Sequence, residues 1–424
     1  MKRTHSVFYI AIALLIAGSL VLSGCNGRSS GISASDLMLH VEAAEWPDTA
    51  DLPDSEFIQS AAAFSWNLIN LAGQQETDEN KMISPASVYL ALAMTLNGAD
   101  QDTKAQMMEQ LAAEFDSRDA FNQEAKNWLI HLQRQTEEAS LHISNAIWYH
   151  DAFEADPDFL QTNADYFDAD ARQTDFSESQ AVDLINDWVS EKTEGKIDSI
   201  VDSIDADTVM FLINAIYFNA DWQDPFEAEL TRDRVFYAAD AEIETPFMHR
   251  LGVIDYMRSD TAEGVMLPYA DNRFGFVALL PDDNLSADQL LQQLDQPKLK
   301  QLLENRETKM TDLALPKFES EYETSLKDTL ADLGLGQMFN PAAADFSLMQ
   351  PSRQKNLYVE DVKHKTYIRV DEKGTEAAAV TSVEMRVTSV PETDHIIVFD
   401  RPFVYLIIDL DTQLPLFAGI MSKP

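Results

Sequence analysis

The sequence predicts a single α+β domain built around one large core. Helical periodicity concentrates toward the front of the chain and strand-like runs toward the back, with mixing throughout, unlike the regular alternation of a doubly wound sheet. From about Ser55 to the end there is no internal repeat and no long linker. Hydrophobic residues make up 45% of the 424, ample for a packed interior.

In chain order, Lys2 and Arg3 precede an apolar run from Val7 to Leu22, a secretory signal pattern. The run ends Leu22-Ser23-Gly24-Cys25, which resembles a bacterial lipobox. That resemblance implies a leader over 1–24 and a lipid on Cys25; a plain signal peptide or a short membrane anchor is the alternative. A multiply acylated Cys25 would hold firmly, at roughly 0.8 kcal/mol per buried CH₂. Asn26, not aspartate, follows the cysteine. The expectation is an exported cell-envelope lipoprotein, at the outer membrane or cell surface. Cys25 is the only cysteine, so stability must come from packing rather than disulfides. Residues 25–54 carry Gly, Ser, Asp and Pro with little periodicity apart from Leu37–Val41, and read as a lipidated tether for a domain over 55–424.

Glu56–Ala72 reads as an amphipathic helix with Phe57, Ala61, Phe64, Leu68 and Leu71 near one face. A second helical pattern, Ala181–Thr193, is built on Ala181, Leu184, Ile185, Trp188 and Val189. Strand-like runs fall at Leu141–Tyr149, Val209–Phe218, Phe274–Leu280, Ile396–Phe399 and Val404–Leu410. The net charge is −41; without Lys2 and Arg3 the remainder holds 29 basic against 72 acidic side chains, or −43. Such a surface repels nucleic acid, anionic polysaccharide and anionic lipid. It serves solubility, or an affinity for basic targets.

Residues 371–395 look like a loop built to become a strand. Thr375, Ala377, Ala379, Thr381, Val383, Met385 and Val387 form one phase without a charge. Glu376, Ala378, Val380, Ser382, Glu384, Arg386 and Thr388 hold every charge. Strand side chains alternate faces, so one phase suits burial and the other water. No proline interrupts 375–388, while Gly374 precedes it and Pro391 follows.

Here the chain resembles the serpins. GTEAAA from Gly374 is close to that family's hinge, and Phe399–Pro424 resembles its C-terminal signature. ISPASVYLALAMTLNGA from Ile83, SNAIWY from Ser144, INDWVSEKTEGKI from Ile185, FLINAIYFNADWQDPF from Phe211, VMLPY from Val265, LALPKF from Leu313 and VKHKTYIRVDEKGTEAAA from Val362 follow in family order. The resemblance implies a serpin fold: a central, mainly antiparallel sheet, further sheets, surrounding helices and an exposed reactive loop over about 371–395. It also implies a hinge at Glu372, Gly374, Thr375, Glu376, Ala377, Ala378, Ala379 and Thr381. Ser84, Ser87, Asn214 and His364 match the polar shutter behind the sheet, and Trp222 matches the breach tryptophan. Gly195 and Lys196 resemble the turn after a helix that an inserting loop must pass. The departures are Thr366, where alanine is usual, and the terminal SKP with Lys423 in place of asparagine.

Ser84 and Ser87 also suit a helix N-terminus, with Pro85 in the first turn, and the two roles are compatible. A nucleophilic site built on them has no G-x-S-x-G elbow to support it. No HExxH or thiolate motif points to a metal, and no cofactor is expected beyond the lipid.

By the resemblance, the expected function is inhibition of a serine protease as a suicide substrate, without enzymatic activity. A monomer with no nucleic-acid partner is expected. Counting Glu372 as first, the cut after the seventeenth residue is Thr388-Ser389, which suits an elastase-like or subtilisin-like pocket. Arg386-Val387 is the trypsin-like alternative, and Met385 a third. A non-inhibitory serpin acting as a surface binding protein is the alternative function.

Overall fold

The computed structural model describes residues 33–74, 79–205, 208–375 and 393–424. The helices in chain order are α1 (Ser55–Ala72), α2 (Pro85–Leu96), α3 (Gln101–Leu111), α4 (Arg118–Gln133), α5 (Pro157–Phe167), α6 (Gln180–Lys192), α7 (Ala287–Gln293), α8 (Gln296–Glu304) and α9 (Lys327–Leu330). The strands begin with β1 (Ser35–Asp36), β2 (Lys81–Ile83), β3 (Ala139–His150), β4 (Asp170–Thr174), β5 (Met210–Asp221), β6 (Arg232–Tyr237), β7 (Glu242–Arg258) and β8 (Ala262–Pro268). They continue with β9 (Phe274–Pro281), β10 (Glu307–Pro316), β11 (Phe318–Ser325), β12 (Val362–Val370), β13 (Gly374–Thr375), β14 (His395–Val398), β15 (Phe403–Asp409) and β16 (Pro415–Met421).

A seven-stranded sheet has the order β1-β4-β3-β5-β13-β12-β11. Its pairings are mostly antiparallel, but β3–β4 and β5–β12 are parallel, so the sheet is mixed. The second sheet runs β14-β10-β7-β8-β9-β15-β16-β2, with β6 on β7.

The expected elements appear with small shifts. Asp54 caps α1 by accepting from the Phe57 amide, which extends that helix to Ser55. Phe57, Phe64, Tyr89 and Trp128 meet beneath it in edge-on and tilted ring contacts. Helix α2 is buried along its whole length, as an all-round apolar sequence requires, and packs on β3, β5 and β16. Helix α6 lays Ile185, Trp188 and Val189 into a cluster with Phe211, Ile213 and Ala215 of β5, with Tyr367 of β12 alongside. Thus α6 crosses one face of the seven-stranded sheet while α2 supports the other.

Part of the segment read as a lipidated tether over 25–54 is docked on the domain. Ser35 and Asp36 pair antiparallel with Gln173 and Arg172. Leu37, Met38, Val41 and Trp46 pack on the core. The segment is too short for periodicity to reveal this, yet its few apolar side chains gain burial by docking.

Candidate functional site

The functional interest centres on the seam between β5 and β12. The two strands pair in parallel only from Val362↔Leu212 to Lys365↔Ala215. Beyond that point β13 lies between them, with Thr375 opposite both Ala220 and Val370 and Gly374 opposite Asp221. Residues 216–219 and 366–369 flank the interval between the closed ladder and the hinge. Thr375, the first residue of the predicted latent strand, and the glycine before it therefore already stand in the sheet.

Their placement is tight. Thr375 is 1% exposed, and its hydroxyl shares a 2.6 Å hydrogen bond with Tyr269. Burial pushes the Tyr269 phenol well above its ordinary pKa, so it stays protonated. A Cβ at Gly374 would stand 2.0 Å from the Ala220 carbonyl oxygen and 2.8 Å from the Asp221 Cα. Only glycine allows this approach of two backbones.

Trp222 organises the same end of the seam. Its indole N–H donates to the Asp371 carbonyl at 2.9 Å, and its backbone amide to that of Lys373 at 2.7 Å. The ring stacks on Tyr269 at 4.7 Å and meets Phe276 edge-on. Glu372 accepts from Thr231 at 2.8 Å and from the Lys317 ammonium at 2.7 Å. Burial pushes this carboxyl up, but the Lys317 and Thr231 bonds prevail and hold it below the usual range. Tyr269, Lys317 and Thr231 were missed in the sequence; Tyr269 and Lys317 lie in the quoted VMLPY and LALPKF stretches, but only the fold brings them to Thr375 and Glu372.

The predicted shutter residues come together. His364 and Asn214 are direct partners across the closed ladder, so the seam runs between them. All four predicted residues are fully buried. Ser84 caps α2, its amide donates to His364 Nε2 at 3.0 Å, and its hydroxyl donates to the Leu416 carbonyl at 2.7 Å. Ser87 Oγ donates to Asn214 Oδ1. Asn214 Nδ2 donates to the Ser87 carbonyl at 3.0 Å and to Asn145 Oδ1 at 2.5 Å. Asn145 is the member that sequence reading overlooked, although it stands in the quoted SNAIWY stretch. Ser84 thus serves as N-cap and as a member of this buried polar cluster at once.

Because Nε2 of His364 accepts, its proton resides on Nδ1, which meets no partner among the described residues. Burial lowers the His364 pKa to about 3, so the ring is neutral. Thr366, the departure from family habit, donates to the Met82 carbonyl at 3.1 Å and so ties β12 to β2.

Gly195 stands at φ +75° and Glu194 at +53°, in the turn that ends α6, while Lys196 donates its amide to the Thr193 carbonyl. Glu376, Ala377, Ala378, Ala379, Thr381, Met385, Arg386, Val387, Thr388, Ser389 and Cys25 lie outside the described residues. Two His–Asp–Asp groups come within 4.8 Å without any motif announcing them: His131 with Asp409 and Asp411, and His150 with Asp151 and Asp175. In the first, Asp409 already accepts from Thr412 at 2.5 Å and from the Asp411 amide. Among the described residues no helix is long and apolar enough to cross a membrane.

A family model described as Serpin (serine protease inhibitor) matches residues 59–424. An uncharacterized serpin-like protein of Thermococcus kodakarensis is 32% identical over 436 residues, covering 100% of this chain and 99% of its own. Alpha-1-antiproteinase of Rattus norvegicus is 31% identical over 397 residues, covering 90% of this chain and 94% of its own. The crystal structure of the thermophilic serpin tengpin in the native state superposes with a TM-score of 0.85 at 37% identity, covering 92% of this chain and 100% of that one. The same protein in the latent state gives 0.76 at 38% identity, covering 88% and 99%.

Proposed function

The chain belongs to the serpin family, and from that premise we propose that it inhibits a serine protease as a suicide substrate. The protease cleaves within 385–389, the cut loop inserts between β5 and β12, and the acyl-enzyme is carried to the far end of the sheet. Crushed there, the protease loses the alignment of triad and oxyanion hole, and deacylation slows.

One observation carries this reading. Thr375 stands opposite Ala220 and Val370, and continuing that antiparallel register brings residue 381 opposite Asn214 and His364 together. Residue 381 is Thr381, the other hydroxyl of the uncharged phase. Ala377 and Ala379, between Thr375 and Thr381, are small enough to pass the seam. A hydroxyl at 381 offers an acceptor to the unpartnered His364 Nδ1–H. The hinge, the shutter and the spacing between them agree on one inserted strand.

Thr388-Ser389 is the favoured bond, with an elastase-like or subtilisin-like target, because it leaves the longest tether. Arg386-Val387 would instead select a trypsin-like protease through its guanidinium. Residues 1–24 form a leader, Cys25 carries the lipid, and the inhibitor resides in the cell envelope as a monomer. Lipid labelling that persists in a Cys25→Ser variant would overturn the anchor.

The test of inhibition is a gel of the protein with elastase, subtilisin and trypsin, searched for an SDS-stable adduct. Sequencing the released peptide then fixes the bond: a start at Ser389 supports the choice, and a start at Val387 in a stable trypsin complex refutes it. The second reading, a surface binding protein, draws on an apolar groove of about 570 Å³ between α1 and α8 lined by Ile58, Trp66 and Pro297. It predicts cleavage without adduct and without a rise in melting temperature.

A further inference from the structure

The docked N-terminal segment has a place along the sheet that follows from register alone. Ser35 is opposite Gln173, Gln173 is level with Tyr149 in β3, and Tyr149 is opposite Met210. Met210 is the first residue of β5, while the other end, Asp221, holds the hinge glycine. At roughly 3.3 Å per residue the two ends are about 35 Å apart. The chain from Cys25 therefore joins the body at the pole opposite the hinge.

That pole is also the destination of an inserted loop. On the continued register residue 385 falls opposite Met210, and Thr388 lies three residues beyond it. Four strand spacings of about 4.8 Å separate the inserted strand from β1, so protease and tether would meet within about 20 Å laterally. Residues 26–34 span at most about 30 Å. A serine protease of about 240 residues has a radius of gyration near 18 Å, hence a body about 45 Å across. With Ser35 fixed to the body, a domain standing with this pole toward the bilayer has less reach than the protease is wide.

Releasing Ser35–Trp46 would add about 40 Å of reach. The hold on this segment suits release. β1 contributes two residues to the ladder, and Leu37 donates one further amide to Ala171. Asp165 receives the Ala44 amide at 2.7 Å and the Trp46 indole N–H at 3.1 Å, and Lys126 sits 4.9 Å above the Trp46 ring. Leu39 remains 72% exposed.

We propose that the pole bearing β1 faces the lipid surface, and that Ser35–Trp46 is tether held in reserve, released as the trapped protease arrives. The inference rests on the reading of the chain as a lipid-anchored inhibitor. A short tether at this pole favours the hinge on the far side from the bilayer; after insertion the lengthened one accommodates the cargo.

The test locks the segment. Asp36 and Arg172 are ladder partners, at a Cα separation that a disulfide accepts. The full-length chain with Asp36→Cys and Arg172→Cys is placed in phosphatidylcholine–phosphatidylglycerol vesicles and reacted with subtilisin as the probe. The oxidised form is expected to give at least about fivefold less adduct per cleaved chain, with the yield restored by reduction. It is also expected to recover, still oxidised, when a 20-residue Gly/Ser stretch is inserted after Ser30. Equal adduct from oxidised and reduced forms overturns the proposal, and so does a defect that persists with the long tether. Absence of adduct from the parent chain, or of lipid on it, overturns the underlying reading as well and is scored in the unlocked protein.

Discussion

Replacing Thr381 with Val removes one hydroxyl and keeps a branched side chain of similar volume, so the inserted strand loses chemistry rather than shape. In the native protein the change should be silent, because the bonds of the shutter are made by Ser84, Ser87, Asn145, Asn214 and His364 among themselves. On the proposed insertion, in the cleaved protein it would leave the His364 Nδ1–H without the acceptor that Thr381 would supply. A buried donor left unmatched costs about 1–3 kcal/mol. A domain of some 370 residues unfolds with an entropy near 0.8 kcal/mol/K, so the cleaved variant should melt about 1–4 °C below the cleaved parent. If the same bond is formed in the rate-limiting step of insertion, insertion slows by up to about a hundredfold, and more of the variant is turned over as substrate. Calorimetry of intact and cleaved forms, with adduct yield on the same samples, measures both. Equal melting of the two cleaved proteins, or an equal loss in both intact and cleaved states, would refute the register on which the argument stands.

Gly374→Ala forces a methyl against the Ala220 carbonyl and should expel the hinge from its native seat, seen as faster proteolysis near residue 374 and a lower melting point of the intact protein. Thr375→Arg places a guanidinium where the residue is 1% exposed and its hydroxyl bonds Tyr269; cleavage should persist while adduct falls at least about tenfold, and a normal adduct yield would contradict it. His364 is neutral in the fold, with a pKa depressed to about 3, against about 6.5 when unfolded. Below pH 6.5 the unfolded chain binds the extra proton, so this group's share of stability declines as pH falls toward 3, by up to about 1.4 kcal/mol per unit. A His364→Asn variant, able to accept from the Ser84 amide, should show a flatter dependence of melting temperature on pH between 6.5 and 4.

Much of the fold was legible because its signals are local. The α1 and α6 stripes and the apolar runs of β3, β5, β9 and β15 each declare an element within a few residues. The site was legible only where ordered motifs named its members. Asn145 and Tyr269 stand in quoted motifs and Thr231 outside them, but nothing local assigns any of the three a role; they join Asn214, Thr375 and Glu372 through pairings that span from 69 to 141 residues. The docking of Ser35–Trp46 was hidden for a different reason. Its apolar residues are sparse, and their burial depends on surfaces offered by β4, α4 and α5, which no window of the sequence contains.

The closed part of the seam is four ladder positions long and parallel, from Val362 to Lys365. Parallel pairs are slightly weaker per residue than antiparallel ones. In kinetic terms this short zipper is a clock. On the proposed mechanism, a protease acylated by the loop would face two exits, hydrolysis of its ester or parting of those four positions, and the outcome would be whichever finished first. Unfolding-like steps quicken steeply with heat, rising several-fold per ten degrees. The proportion of protease captured should therefore depend on temperature through this stretch of backbone even when the loop sequence is unchanged. On the same proposed mechanism, that timing could be retuned for a warmer or colder habitat at Thr366, whose bond to Met82 braces β12 beside the zipper, without altering the loop itself.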